Sequence, residues 1–346
     1  MRKVVDNFVP QGGKHCITNA LKQIFYYNGI DMSEAMMFGL GSGLSFLYLN
    51  QSISPAINGR CKIFEFEEKL ENRLSIQIRC RSDTDYDRAC RRAKDMLNQN
   101  NPLLIYVDMP YLKYLGLGED NHFGGHAVVL FGYDDEKEEY LISDRDNHDF
   151  PIRTPFGQIA EDYHLVSYEE LRQARSSTHR PFPAKNKYLE MDFGEFCAPT
   201  RQILMEAIAE TCEHMQNPPA KLLGLNGIHK FSKEILKWRN FSPEKLKLAG
   251  VTNYFRISKD GGTGGGIFRQ MYGDFLIEAA PILDNVRFEE IGLEYHTLAK
   301  RWDEIADLLW ELSLTGNVVL LTTMSEMIEE LWHRESELCN NLVEKI

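Results

Sequence analysis

The chain has 346 residues, more than one small core accommodates, and its 43% hydrophobic and 26% charged residues are ordinary for a folded globular protein. A formal net charge of -12 argues against nucleic acid as the main partner, and seven cysteines without regular spacing argue against a disulfide framework. No apolar run approaches the ~20 residues of a membrane span. The opening "MRKVVDNFVPQGGKHC" lacks the apolar stretch of a secretion signal, and neither C-x-x-C nor H-E-x-x-H occurs. The expectation is a cytoplasmic protein with no membrane or nucleic-acid partner, no metal and no tightly bound cofactor.

In chain order, Thr18 to Asn28 reads as a helix with Ala20, Leu21, Ile24 and Phe25 on one apolar face. Ser33 to Gly39 is a second short helix, and "GLGSGLSF" (Gly39 to Phe46) is a glycine-rich turn into an apolar stretch. "KIFEF" and "LSIQIRC" read as strands around a helix from Glu67 to Asn72, Tyr86 to Asn98 is amphipathic, and "PLLIYVDM" (Pro102 to Met109) is a buried strand. "HAVVLFGY" (His126 to Tyr133) and "YLISD" (Tyr140 to Asp144) form a hairpin over the polar link "DDEKEE". "PFPAKNK" marks a linker. Beyond it come long helical patterns at Pro199 to Met215, Leu222 to Trp238, Phe288 to Ser313 and Val318 to Glu344, with a glycine loop, "DGGTGGGIFR" (Asp260 to Arg269), preceding another helix. The reading is α+β: a mixed domain over 1–190 and a nearly all-helical domain over 191–346.

Cys16 stands where the turn of Gly12 and Gly13 becomes a helix, and a helix N-terminus favours a thiolate. A nucleophilic thiol also needs a base within hydrogen-bond reach and a group that orients the base. With the hairpin centred near Asp135, paired residues sum to about 270, an arithmetic of opposed strands that sets His126 against Asp144. A shift of register moves the partner toward Asp146 or Asn147. Asp144 is expected to take the Nδ1 proton of His126, with Gly124 and Gly125 leaving open space beside the ring. Each residue alone is ordinary; the order Cys16, His126, Asp144 on these elements points to a Cys-His-Asp site. His122 and His148 lie near it as candidate substrate contacts.

The hairpin "HAVVLFGYDDEKEEYLISD" resembles that of papain-like cysteine enzymes, especially the bacteriocin-processing group with its Asp. "HCITNALKQIFYYNGIDMSEAMMFGLGSGLSF" and "FGGHAVVLFGYD" resemble the N-terminal domain of the butirosin biosynthesis protein H family. "GTGGGIFRQMYGDFLIEAA" (Gly262 to Ala280) resembles the helical domain that accompanies it. The resemblance implies a papain-like fold, with Cys on an N-terminal helix and His and Asp on an antiparallel sheet. It implies a thiol acyltransferase of secondary-metabolite (antibiotic) biosynthesis, moving an acyl group from the phosphopantetheine thioester of an acyl carrier protein, or a coenzyme thioester, to a small amine. Cys16 would carry the acyl group, His126 would move the protons and Asp144 would orient His126. The oxyanion would rest on the Cys16 N–H and one side chain, for which Gln11 and His15 both stand as candidates. The glycine loop, through Gly264, Gly265, Gly266 and Arg269, would hold the phosphopantetheine phosphate; the alternative is a tight turn that serves helix packing.

Two other readings share these residues: a cysteine amidase or peptidase, in which water takes the acyl group, and a non-catalytic binding protein on the same scaffold. The helical half, large enough to cover a site, favours transfer over hydrolysis. Leu308, Leu309, Leu312, Ile328, Leu331 and Trp332 are expected to form a homodimer face. Cationic clusters at Arg88 to Lys94, Arg172 to Lys187 and His229 to Lys247 would steer an acidic carrier despite the net negative charge. Charge reversal at Arg91 and Arg92, or at Arg172 and Arg175, is therefore expected to raise the carrier's KM, measured by steady-state transfer.

Overall fold

A computed structural model describes residues 1–61, 65–118, 122–145, 152–154, 157–159, 162–180 and 182–345, the segments 152–154 and 157–159 by backbone alone. In chain order the elements begin with β1 (Arg2–Val4), α1 (Cys16–Tyr27), α2 (Glu34–Leu40), β2 (Leu44–Leu49), β3 (Ala56–Arg60), α3 (Glu65–Leu74), β4 (Gln77–Arg81) and α4 (Tyr86–Asn98). Then follow β5 (Leu103–Val107), β6 (His126–Asp134), β7 (Glu139–Ser143), β8 (Ile152–Thr154), β9 (Gly157–Ile159), β10 (His164–Ser167), α5 (Tyr168–Ser176) and β11 (Tyr188–Asp192). The helical remainder is α6 (Arg201–Gln216), α7 (Gly224–Glu234), α8 (Pro243–Ile257), α9 (Arg269–Leu283), α10 (Arg287–Thr315) and α11 (Leu320–Val343).

The chain divides into two compact units, Met1–Glu34 with Ser75–Cys197, and Ala35–Leu74 with Ala198–Ile346. The division read from sequence near residue 190 kept 35–74 with the N-terminal part; here those residues pack with the C-terminal helices. The strand read into "KIFEF" differs too: Glu65 and Phe66 open α3, and residues 62–64 lie outside the described residues.

The first unit is built on an antiparallel sheet in the order β10-β7-β6-β5-β11-β4, with β1 pairing the later part of β6. β5, "LLIYV", is buried along its whole length, and β6 is buried from His126 to Tyr133, as continuous apolar runs in the middle of a covered sheet should be. α1 packs across β6 and β5, burying Ile17, Ala20, Leu21, Ile24 and Phe25. Burial of each large side chain is worth ~1.5–3 kcal/mol, so this face holds α1 on the sheet. α4 starts on an Asp85 cap and α5 on a capping box of Ser167 and Glu170. α5 also corrects the surface reading of Arg175: Arg91, Arg92 and Arg172 are exposed, but Arg175 is 1% exposed and is no part of a docking surface.

In the second unit α10 packs against α9 and α8, and β2 pairs with β3. Leu309, Leu312, Ile328 and Leu331 are fully buried within this unit, so they form its core and not a dimer face. The glycine loop is a packing turn. Gly266 has φ +54°, and a Cβ there would lie 2.2 Å from Ala299 Cα on α10. Two of the loop N–H groups are already taken, Gly265 N by Thr263 Oγ1 at 3.1 Å and Gly266 N by the Asp303 carboxylate at 2.9 Å. Arg269 is fully buried, and its guanidinium meets Glu335 Oε1 at 2.8 Å and Oε2 at 3.3 Å, with the Ser45 and Ile267 carbonyls on Nη1. Gly265 and Gly266 therefore offer a phosphate no free N–H, and Arg269 no accessible cation. Glu335→Gln, which leaves Arg269 buried without a counter-charge, is expected to destabilise the protein by ~3–5 kcal/mol. Arg269→Met with Glu335→Leu should recover most of that loss in urea unfolding.

Candidate active site

α1 begins at Cys16, with His15 as its extended N-cap residue (φ -132°). No side chain of the cap itself closes the helix end. Glu34 does so from outside: its carboxylate accepts from Lys14 N at 2.8 Å, His15 N at 3.0 Å and Thr18 Oγ1 at 2.7 Å. His15, one of two candidate oxyanion donors, is buried with Nδ1 3.3 Å from Thr18 Oγ1. Gln11, the other, is half-buried. Its backbone N–H donates to Gln23 Oε1 at 3.1 Å and its carbonyl accepts from Asn19 Nδ2 at 3.1 Å, while its side-chain carboxamide makes no hydrogen bond among the described residues.

His126 opens β6 and is 3% exposed, and Asp144 follows directly on β7 at 4%. His126 Nε2 lies 2.7 Å from Asp144 Oδ2. The register differs from the sum of 270. Val129 pairs with Ser143 and Leu130 with Ile142, a sum of 272, after an irregularity between Leu130 and Gly132. The pair therefore meets on the diagonal, a separation that long side chains on one face still bridge. The nitrogen differs as well. Asp144 takes Nε2, which leaves Nδ1 for the hydrogen bond between His126 and Cys16. The open space expected beside the ring is absent at Gly124, where a Cβ would lie 2.4 Å from the Phe182 carbonyl oxygen. Asp146, Asn147 and His148 lie outside the described residues.

Burial pulls the His126 pKa down, but the charge and hydrogen bond of Asp144, together with the hydrogen bond and charge of Cys16, overcome it and push it up to about 10. Burial would raise the Asp144 pKa; the His126 charge and hydrogen bond, the Tyr114 hydroxyl and the Arg145 N–H hold it well below the usual carboxylate range. Tyr114 Oη donates to Asp144 Oδ2 at 2.7 Å, and Arg145 N to Oδ1 at 2.7 Å. The Tyr114 ring stacks on His164 at 3.6 Å between centroids. Sequence reasoning missed Tyr114, because it reaches Asp144 from a 3-10 turn (Lys113–Leu115) outside any periodic pattern.

His122, a candidate substrate contact, donates through Nδ1 to Asp108 Oδ2 at 2.8 Å. Asp108 follows β5, which pairs Val107 with His126, so this second His–Asp pair sits at the same end of the sheet. His122 also stacks on His179 at 3.4 Å.

The raised His126 pKa sets a pH signature. Its stabilising contribution is whole below about 6.5, its ordinary value, and is lost as pH rises through about 10. Urea unfolding between pH 6.5 and 10 should show this decline in the wild type and lose most of it in Asp144→Ala.

Two family models match the chain: butirosin biosynthesis protein H, N-terminal, over residues 15–145, and domain of unknown function DUF4872 over residues 169–342. The second match begins in α5, before the join at residue 197 between the compact units. A search of curated proteins finds no match. No helix among the described residues is long and apolar enough to cross a membrane. With an N-terminal match that contains Cys16, His126 and Asp144, and a helical match over half the chain, this protein belongs to the butirosin biosynthesis protein H family in its form with a C-terminal DUF4872 domain.

Proposed function

We propose that this protein is a thiol acyltransferase of antibiotic biosynthesis that moves an acyl group from a carrier-protein or coenzyme thioester through acyl-Cys16 to an amine. The observation that carries the reading is His126 hydrogen-bonded on one side to Asp144 and on the other to Cys16 at the first position of a helix. The family name supplies the biosynthetic setting.

In the first half-reaction Cys16 gives its proton to His126 and attacks the thioester carbonyl carbon. The donor C–S bond breaks, and the departing thiolate takes the proton back from His126. In the second half the amine attacks the acyl-Cys16 carbonyl, His126 accepts the amine proton, and the Cys16 sulfur leaves and is reprotonated. Asp144 holds His126 in the orientation that serves both transfers. The oxyanion is held by the Cys16 N–H and the Gln11 carboxamide, which is uncommitted among the described residues, whereas His15 is buried against Thr18.

An amidase would use the same three residues with water as acceptor, so the acceptor decides between the readings. Exposure to a set of acyl N-acetylcysteamine thioesters should add one acyl mass to the wild type and none to Cys16→Ala. His126→Ala should slow acylation ~10²–10⁴-fold, and Asp144→Ala should be milder. An acyl-enzyme discharged by amines faster than by water supports transfer. Acylation that survives in Cys16→Ala would end the mechanism.

A further inference from the structure

α5 carries an arginine that no acid meets among the described residues. Arg175 is 1% exposed, and none of its three guanidinium nitrogens has a hydrogen-bond partner among the described residues. The ionisable groups that act on its charge are, in order, Tyr86, Tyr140, Cys90 and Tyr188. All four are ordinarily protonated and neutral at pH 7. The acids of the neighbourhood are committed elsewhere. Asp83 is held by both Arg88 Nε and Nη2 at 2.6 Å, and Glu190 by Arg81 Nε at 2.9 Å. Arg269 in the second unit shows the contrast: equally buried, it has its Glu335.

A guanidinium does not shed its proton in a protein, and a buried one without a counter-charge is strongly unfavourable. The ionisable groups that act on Arg175 are phenols and a thiol, which can donate hydrogen bonds and, when neutral, do not repel an anion. Cys90 Sγ and Tyr140 Oη lie 2.9 Å apart, and Tyr188 Oη takes Arg92 Nη1 at 2.9 Å and reaches Glu190 Oε1 at 3.1 Å. Tyr86 and Cys90 sit one helical turn apart on α4 and are both part-exposed. Exposed Arg92 and Arg172 add positive charge around them.

We propose that Arg175, with Tyr86, Tyr140 and Cys90, forms an oxyanion site that takes a phosphate group. Arg175 comes from α5, Tyr86 and Cys90 from α4 and Tyr140 from β7, with α5 packed on both of the others; a tetrahedral oxyanion has oxygens for donors from all three, whereas one arginine satisfies a planar carboxylate by itself. The site does not draw on the acyl-transfer reading, and its loss leaves the chemistry of Cys16 untouched.

Thermal unfolding of the full chain, titrated with sodium phosphate at ionic strength held constant by sodium chloride, tests it. The unfolding midpoint should rise saturably with phosphate and stay flat with acetate. A parallel titration with glycerol phosphate separates the sources: a stronger rise than with inorganic phosphate marks a phosphate ester, an equal or weaker one the free ion, and either supports the site. Phosphate should also slow iodoacetamide labelling of Cys90 at least threefold, with exposed Cys80 and Cys197 as internal references. Arg175→Met should fold, be at least as stable in chloride, and lose both responses. Should that variant not fold, Tyr86→Phe keeps the charge, removes one donor, and should weaken phosphate binding about tenfold. The proposal is overturned if phosphate and chloride act alike on the wild type, or if the midpoint still rises with phosphate in Arg175→Met. It is overturned equally if Cys90 labels faster than the two references and phosphate does not slow it, since the thiolate would then be the counter-charge.

Discussion

The candidate site hangs on a polar seam between α1 and the end of β7. Asn19 and Gln23 lie one turn apart on α1, both buried beside its apolar face. Asn19 Nδ2 donates to the carbonyls of Gln11 and Asp144, and Gln23 Oε1 accepts from Gln11 N and Ser143 Oγ. Gly13 N donates to the Arg145 carbonyl, and Gly13 has no room for a side chain because a Cβ would lie 2.4 Å from Asn19 Oδ1. These bonds fix the segment before Cys16, the helix that carries it and the strand end that carries Asp144 into one frame. Apolar packing alone would let α1 slide or roll by fractions of a turn; directional buried hydrogen bonds do not.

Glu34 changes the electrostatics expected of the helix start. A helix N-terminus acts as about half a positive charge that favours a thiolate. Here a carboxylate already occupies the N–H groups of Lys14 and His15 ahead of Cys16. Part of the dipole's field is spent on Glu34, so in the proposed mechanism the activation of Cys16 falls to His126.

Much of the scaffold was legible from local pattern. Tyr86–Asn98 was read to the residue, and α6, α7, α10 and α11 to within a few residues, because their apolar periodicity is unambiguous, whereas α8 was missed. The hairpin was found but its register was two residues off: its turn centres between Glu136 and Lys137 rather than near Asp135, which sets the first pairs at a sum of 273, and the irregularity past Leu130 brings the sum back only to 272. His126 and Asp144 still met, since a shift of two keeps both side chains on one face. The Nε2 contact, Glu34 and Tyr114 were not legible: each comes from a turn or a ring orientation set by tertiary packing. The glycine loop misled for a related reason. Its positive-φ residues are real, yet whether its N–H groups face a ligand or a carboxylate such as Asp303 depends on a residue 37 positions further along the chain. The cationic clusters misled likewise, because charge along a sequence does not tell an exposed Arg172 from a buried Arg175.

The seam has a consequence for the chain as it is made. Asn19 and Asp144 are 125 positions apart, and Gln23 and Ser143 are 120 apart. During synthesis from the N-terminus, α1 emerges long before β6 and β7 exist. Through that interval Cys16 is a bare thiol with neither its imidazole nor its oriented helix start. The contacts that bring His126 and Asp144 to Cys16 close only after the hairpin folds back across a very long loop, a late step for any chain of this topology. On the function proposed above, a nascent or misfolded copy is chemically quiet toward thioesters, and the same long-range bonds that complete the fold switch the nucleophile on.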